Sequence, residues 1–170
     1  PEQVIYLGTL NKLFFPGLHI GYMVLPATLA EAFRKAQVRL HKEPSTIVQK
    51  ALADFFRDGH ASSYIRKMLA EYQIKRDLLV ALLQKNLAGL IQLGGLETGL
   101  HLVMYLPKKM NDQIIAATAQ QQGIVVVPLS SYYLHTKPAQ SGLILGFGNV
   151  LIPEIKRAGK IVCEIIKTMV

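Results

Sequence analysis

Lys12 is the residue whose type and placing most invite chemistry. It lies in the run Gly8-Thr9-Leu10-Asn11-Lys12-Leu13-Phe14-Phe15-Pro16-Gly17-Leu18-His19-Ile20-Gly21-Tyr22. Two apolar segments flank it, Val4-Ile5-Tyr6-Leu7 and Ile20-Gly21-Tyr22-Met23-Val24-Leu25. Both read as short strands, with Pro16-Gly17 punctuating the turn between them. That layout predicts an amine at a strand end, close to a buried sheet. Desolvation there disfavours the ammonium form and lowers its pKa, and a neutral amine can add to an aldehyde to form a Schiff base. The other reading is a lysine that extends from a loop into water. His60, His101 and His135 raise the question of a metal site, but their separations fit no ligand pattern and no cysteine or acidic cluster accompanies them. They read as surface or internally satisfied histidines.

The elements around Lys12 follow from the periodicity of apolar residues. Ala27 to Leu40 reads as a helix with Leu29, Phe33, Ala36 and Leu40 on one face, and His41-Lys42-Glu43-Pro44 breaks it. Ser45 reads as the N-cap of a second helix, Thr46 to Arg57, stopped by Asp58-Gly59. A third and longest helix runs from about Ala61 to Leu87, its apolar positions Ile65, Leu69, Tyr72, Ile74, Leu78, Leu79, Leu82 and Leu83 keeping helical spacing until Asn86 to Gly89 ends it. Beyond it the pattern shortens to strands at Leu90–Leu93, Gly99–Leu106, Ile124–Val127 and Ser141–Phe147. Asn111 caps an intervening helix that Gly123 closes, and Pro153 opens a last helix that reaches about Met169. Strands alternating with helices from Leu90 onward predict an α/β sandwich.

A chain of 170 residues is long enough for one domain with a sizeable core, or for a small domain plus a piece of another. The net charge of +8 suggests a nucleic-acid surface, yet the basic residues come in pairs such as Arg34-Lys35, Arg66-Lys67 and Lys156-Arg157, separated at helical spacing. Such pairs read as solvated helix faces, and no helix-turn-helix, zinc finger or aromatic-basic platform accompanies them. The single cysteine, Cys163, lies in Ile161-Val162-Cys163-Glu164-Ile165-Ile166. That run predicts a buried helix face and a reducing compartment. No apolar run is long enough to span a bilayer and no charged region precedes an apolar stretch at the N-terminus, so the expectation is a soluble, cytoplasmic protein without a membrane partner. A mean hydropathy of +0.28 points to surface that further sequence or a second subunit covers.

The run around Lys12 resembles the Gly-Thr-Phe-Ser-Lys-x-x-x-Pro-Gly-Leu-Arg-hydrophobic-Gly-Tyr signature around the cofactor lysine of fold-type I, pyridoxal 5'-phosphate-dependent aminotransferases. More narrowly, it is similar to the aminotransferase-like domain of MocR/GabR-type regulators of the GntR family, where that domain follows a winged helix. Ala53-Asp54-Phe55-Phe56-Arg57-Asp58-Gly59-His60, Ile65-Arg66-Lys67-Met68, Gly99-Leu100-His101-Leu102, Val127-Pro128-Leu129-Ser130-Ser131-Tyr132-Tyr133 and Leu145-Gly146-Phe147 extend the likeness along nearly the whole chain.

The resemblance implies an α/β fold, the C-terminal portion of the aminotransferase class I/II fold. Residues 1–87 would be a large-domain remnant with linker helices, and residues 88–170 the small domain. Because Lys12 lies so early, the phosphate loop, the ring-stacking aromatic and the ring-nitrogen partner would lie upstream. The expectation is therefore that this chain alone does not hold the cofactor, whereas the full-length protein does. Lys12 would form the internal aldimine, and Thr9 would contact the cofactor phosphate. His19 stands where the family has an arginine, so a single imidazole bond replaces a bidentate grip. Asn11 replaces the usual serine beside the lysine and is expected with Lys12, Thr9 and His19 among the cofactor-binding residues, and Tyr132-Tyr133 match a loop near the mouth of the site. Ile144 occupies the place of a substrate-carboxylate arginine, and an aliphatic side chain cannot pair with a carboxylate.

Two function classes follow. One is the effector-sensing domain of a homodimeric regulator, binding DNA through an upstream winged helix and responding to a small-molecule amine. The other is a stand-alone aminotransferase acting on an amino-containing substrate. A degenerate family member without cofactor is a third possibility, raised by His19.

Overall fold

The computed structural model describes residues 3–40, 45–97, 99–134 and 140–170. The expected helix breaker His41–Pro44, and His135, lie outside the described residues. The chain forms two compact units, Pro1–Lys67 and Met68–Val170.

The first unit opens with strands β1 (Tyr6–Thr9) and β2 (Gly21–Val24), joined in antiparallel register from Tyr6↔Val24 to Thr9↔Gly21. The Tyr22 ring crosses Gly8, and a Cβ there would lie 2.3 Å from it, so any larger residue would push that exposed ring aside. Two helices follow, α1 (Ala27–Arg39) and α2 (Thr46–Arg57). Ser45 does hold the N-cap position of α2, but its side chain makes no capping bond, and only its carbonyl accepts, from the Gln49 N–H at 3.0 Å. Asp58-Gly59 ends α2 as expected, with Gly59 at φ 79°. The first turns of the long helix α3 (His60–Leu87) complete this unit.

The described residues by themselves do not bury the sheet expected beside Lys12. Tyr6, Leu7, Met23 and Val24 are 56%, 69%, 51% and 58% exposed. Among the described residues β1 and β2 pair only with each other, and the apolar side chains on this ribbon fit the expectation of surface that further sequence or a second subunit covers.

The second unit contains the remainder of α3, the strands β3 (Gln92–Gly94), β4 (His101–Tyr105), β5 (Val127–Pro128) and β6 (Gly142–Gly146), and the helices α4 (Asp112–Gln121) and α5 (Ile152–Thr168). Its sheet has the order β3-β4-β6-β5, antiparallel throughout. Alternation puts Leu102 and Met104 of β4 opposite Leu145 and Leu143 of β6, and all four are buried. Leu79, Leu83 and Leu87 of α3, at four-residue spacing, join the same core with Ile155, Val162, Cys163 and Ile166 of α5.

The strand expected at Ile124–Val127 contracts to Val127–Pro128 because the C-cap of α4 claims the chain first. The Gly123 N–H donates to the Gln120 carbonyl at 2.9 Å and the Ile124 N–H to the Ala119 carbonyl at 3.0 Å, with Gly123 at φ 72°. This Schellman-like closure takes the Ile124 donor away from the ladder. Asn111 caps α4 as expected, its Oδ1 accepting from the Gln113 and Ile114 N–H groups.

Candidate functional site

Lys12 sits in the connection between β1 and β2, in a single turn closed by hydrogen bonds from the Leu13 and Phe14 N–H groups to the Leu10 carbonyl, at 3.2 and 3.0 Å. The strand pairing runs one step further into this loop, where the Leu10 N–H donates to the Ile20 carbonyl at 3.0 Å. Asn11 ties the same two chain segments a second time. Its Oδ1 accepts from the Ile20 N–H at 3.0 Å, while its own N–H donates to Thr9 Oγ1 at 3.2 Å. Pro16–Leu18 forms a short 3-10 turn, and His19 ends it in the left-handed region at φ 50°, ψ 37°. That is the sole positive φ outside glycine among the described residues, and histidine tolerates it better than most side chains.

The loop therefore carries all four residues singled out from the sequence, and a hydrogen bond links Thr9 and Asn11. Thr9, Lys12 and His19 are exposed and Asn11 is half-buried. The desolvation anticipated for Lys12 does not come from its neighbours here, because the ribbon that carries it is open to water. Beyond Lys12 the chain turns inward at Phe14, whose ring stacks on Tyr64 at 5.5 Å and 28° and meets Phe55 and Phe56 edge-on at 5.6 and 6.0 Å. Tyr64 Oη donates to the Phe14 carbonyl at 3.4 Å. Periodicity alone did not point to this cluster. Its signal in the sequence is Phe55-Phe56 beside the helix-ending Asp58-Gly59, shortly before Tyr64 in the next helix.

In the second unit Ile144 lies on β6 opposite Val103 and Val127, an aliphatic row with no cation in register. Tyr132 and Tyr133 are 68% and 46% exposed at the end of the 3-10 turn Leu129–Tyr132. That turn is held by Asp112, which sequence reasoning passed over. The Asp112 carboxylate is 3% exposed and accepts from the Ser130 N–H at 2.9 Å, the Ser130 hydroxyl at 2.8 Å and the Gly142 N–H at 3.3 Å. An acid beside an N-cap reads as a partner for the helix dipole, which masks its second role. Lys75 is also buried, its Nζ donating to the Gly148 carbonyl at 3.0 Å and pairing with Glu71 at 2.9 Å.

A cavity of about 290 Å³ opens between Leu79, Leu83, Ile155 and Val162, with the Arg157–Glu154 ion pair among its lining residues. Its lining holds no Ser, Thr, Cys, Lys or His side chain. Among the described residues no three His, Cys, Asp or Glu side chains converge on a possible metal position. His60 lies against the Phe55 ring at 5.9 Å, and His101 is exposed at the start of β4. No helix among the described residues is long and apolar enough to cross a membrane. Burial pushes the Cys163 thiol up to about 11, which makes it a poor nucleophile.

The model of the aminotransferase class I and II family matches residues 1–142, and the chain belongs to that family. It is similar to the probable rhizopine catabolism regulatory protein MocR of Rhizobium meliloti, 34% identical over 157 residues that cover 92% of this chain and 31% of that protein. It is also similar to an uncharacterized HTH-type transcriptional regulator, YhdI, of Bacillus subtilis, 29% identical over 154 residues, with 91% of this chain and 33% of the relative covered. Among solved structures, the multiple substrate aminotransferase of Thermococcus profundus superposes with a TM-score of 0.88 at 23% identity, over 99% of this chain and 41% of that one. The fold is thus part of the aminotransferase fold. The chain spans about a third of the length of the curated relatives it matches.

Aminotransferases of this fold depend in general on pyridoxal phosphate. The donor set of the loop fits that group at two places. A primary amine, Lys12, suits its aldehyde, while a hydroxyl, Thr9, and an imidazole, His19, suit its phosphate. The Asn11 oxygen is already engaged by Ile20.

Proposed function

We propose that this chain is the C-terminal part of the aminotransferase-like domain of a cytoplasmic, pyridoxal phosphate-dependent transcription regulator of the MocR/GabR type. Residues 1–87 form its large-domain remnant and linker helices, and residues 88–170 its small domain. The single observation that carries this reading is the kind of relative. Proteins 34% and 29% identical over nine-tenths of the chain are regulators by name, whereas the aminotransferase structure, at 23% identity, supports the fold alone. Ile144, set among Val103 and Val127, argues in the same direction, since no cation is in register to grip an amino-acid carboxylate.

In this function Lys12 supplies the amine that carries the cofactor, Thr9 and His19 hold its phosphate, and Asn11 fixes the loop between them. When bound, pyridoxal phosphate supplies an aldehyde and an electron-withdrawing ring. The cofactor is held in the longer protein, where further walls enclose it, and not by this chain by itself. An amine effector changes the balance between two arrangements of a homodimer, and DNA is bound by a winged helix upstream.

The test is steady-state turnover by the whole protein of a panel of α-amino acids with a keto-acid acceptor, set beside operator binding with and without amines. The expected result is feeble transamination and DNA binding that an amine shifts. Turnover near the median enzyme value of about 10 per second, with no amine-dependent DNA binding, would favour the aminotransferase reading instead.

A further inference from the structure

We propose that Asn11 and Tyr64 are positioning residues for Lys12, fastening the backbone on its two sides so that the amine is presented in one orientation. The inference rests on the reading of Lys12 as the amine that carries the cofactor. On the N-terminal side, Asn11 Oδ1 takes the Ile20 N–H at 3.0 Å and so locks the residue next to Lys12 against the start of β2. Ile20 is itself 8% exposed, so this N–H has little access to water as an alternative partner. On the C-terminal side, Phe14 is enclosed by Tyr64, Phe55 and Phe56, and Tyr64 Oη reaches the Phe14 carbonyl. Lys12 lies between these two anchors, within the turn closed on the Leu10 carbonyl.

A long flexible side chain on an exposed loop samples many rotamers, and fixing its backbone removes part of the freedom that capture of a carbonyl must otherwise restrict. Neither residue needs to touch the cofactor for this. The serine that the family pattern places beside the lysine has no carboxamide, whereas asparagine reaches across the loop. Tyr64 works by two separable means, ring stacking and the hydroxyl.

The experiment uses the whole protein that carries this chain, with pyridoxal 5'-phosphate as the probe and borohydride trapping of the adduct as a secondary amine. Peptide mass spectrometry then compares the adduct at Lys12 with that at the exposed Lys35, between about pH 6 and about pH 10. In Asn11→Ala, capture at Lys12 should fall about fivefold relative to Lys35. Asn11→Asp, which keeps an oxygen at that place, should restore most of it. Tyr64→Phe should lose about twofold, and Tyr64→Leu more, because the ring contact goes as well. Selective capture at Lys12 that is equal in the unaltered protein and all variants would overturn the positioning role while leaving the reading of Lys12 intact. An equal loss at Lys12 and Lys35 would overturn it too, as a global effect. No selectivity for Lys12 in the unaltered protein would overturn the reading of Lys12 itself, and the inference with it.

Discussion

Replacing Asp112 by alanine should destabilise the second unit by about 3 kcal/mol, and the structure says where that loss comes from. The carboxylate is almost fully buried and accepts three hydrogen bonds, from the Ser130 N–H, the Ser130 hydroxyl and the Gly142 N–H. Alanine removes the acceptor and leaves every donor behind, which is the costly case, since an orphaned buried donor forfeits about 1 to 3 kcal/mol. Gly142 is buried, so its N–H stays dry. Ser130 is half-buried, and water can reach it in compensation. One full penalty and two partial ones give about 3 kcal/mol, with coupling between neighbours expected to keep the total below a simple sum. The substitution Asp112→Asn should be milder: one carbonyl oxygen is retained and the Ser130 hydroxyl can turn to accept from the new amide, leaving a single mismatched donor and a loss of about 1 to 2 kcal/mol. Urea unfolding followed by circular dichroism gives the total, and amide hydrogen exchange at Ser130 and Gly142 shows whether the loss is local. If Asp112→Ala lowers stability by less than about 0.5 kcal/mol and leaves exchange at Gly142 unchanged, the carboxylate does not hold this turn and the reasoning fails.

In the whole protein His19→Arg should tighten pyridoxal phosphate by about 1 to 2 kcal/mol, because a guanidinium can grip a phosphate through two charge-assisted bonds where an imidazole offers one. A cofactor titration with unchanged or weaker affinity would mean that residue 19 does not face the phosphate. Cys163 sets a pH dependence: its thiol is pushed from near 9 up to about 11, chiefly by burial, so the unfolded chain loses this proton first. Stability is then intact below about pH 9 and falls as pH rises towards about 11, by about 2 to 3 kcal/mol across the window. Denaturant midpoints at about pH 8 and about pH 10.5 check it, because Cys163→Ala should show a shallower decline than the unaltered chain.

The sequence alone determined the elements whose signals are local. The α2 stop at Asp58-Gly59, the Asn111 cap, the Gly123 closure and the Pro153 first turn depend on the conformational preferences of single residues, so they are legible one residue at a time. The run from Gly8 to Tyr22 likewise carries the family likeness in its order of residues, and the match over residues 1–142 agrees with it. Tertiary structure decided what depends on partners distant in the chain. It cut the strand at Ile124 short, since a helix cap and a sheet ladder competed for one N–H and the nearer partner won. It made Asp112, which carries no signal of this role in the sequence, the anchor of a turn 18 residues away, and Asn11, a neighbour of the lysine, the clasp of its loop. Hydrogen bonds of this kind join residues that only the folded chain brings within 3 Å of one another, and spacing in the sequence holds no record of them.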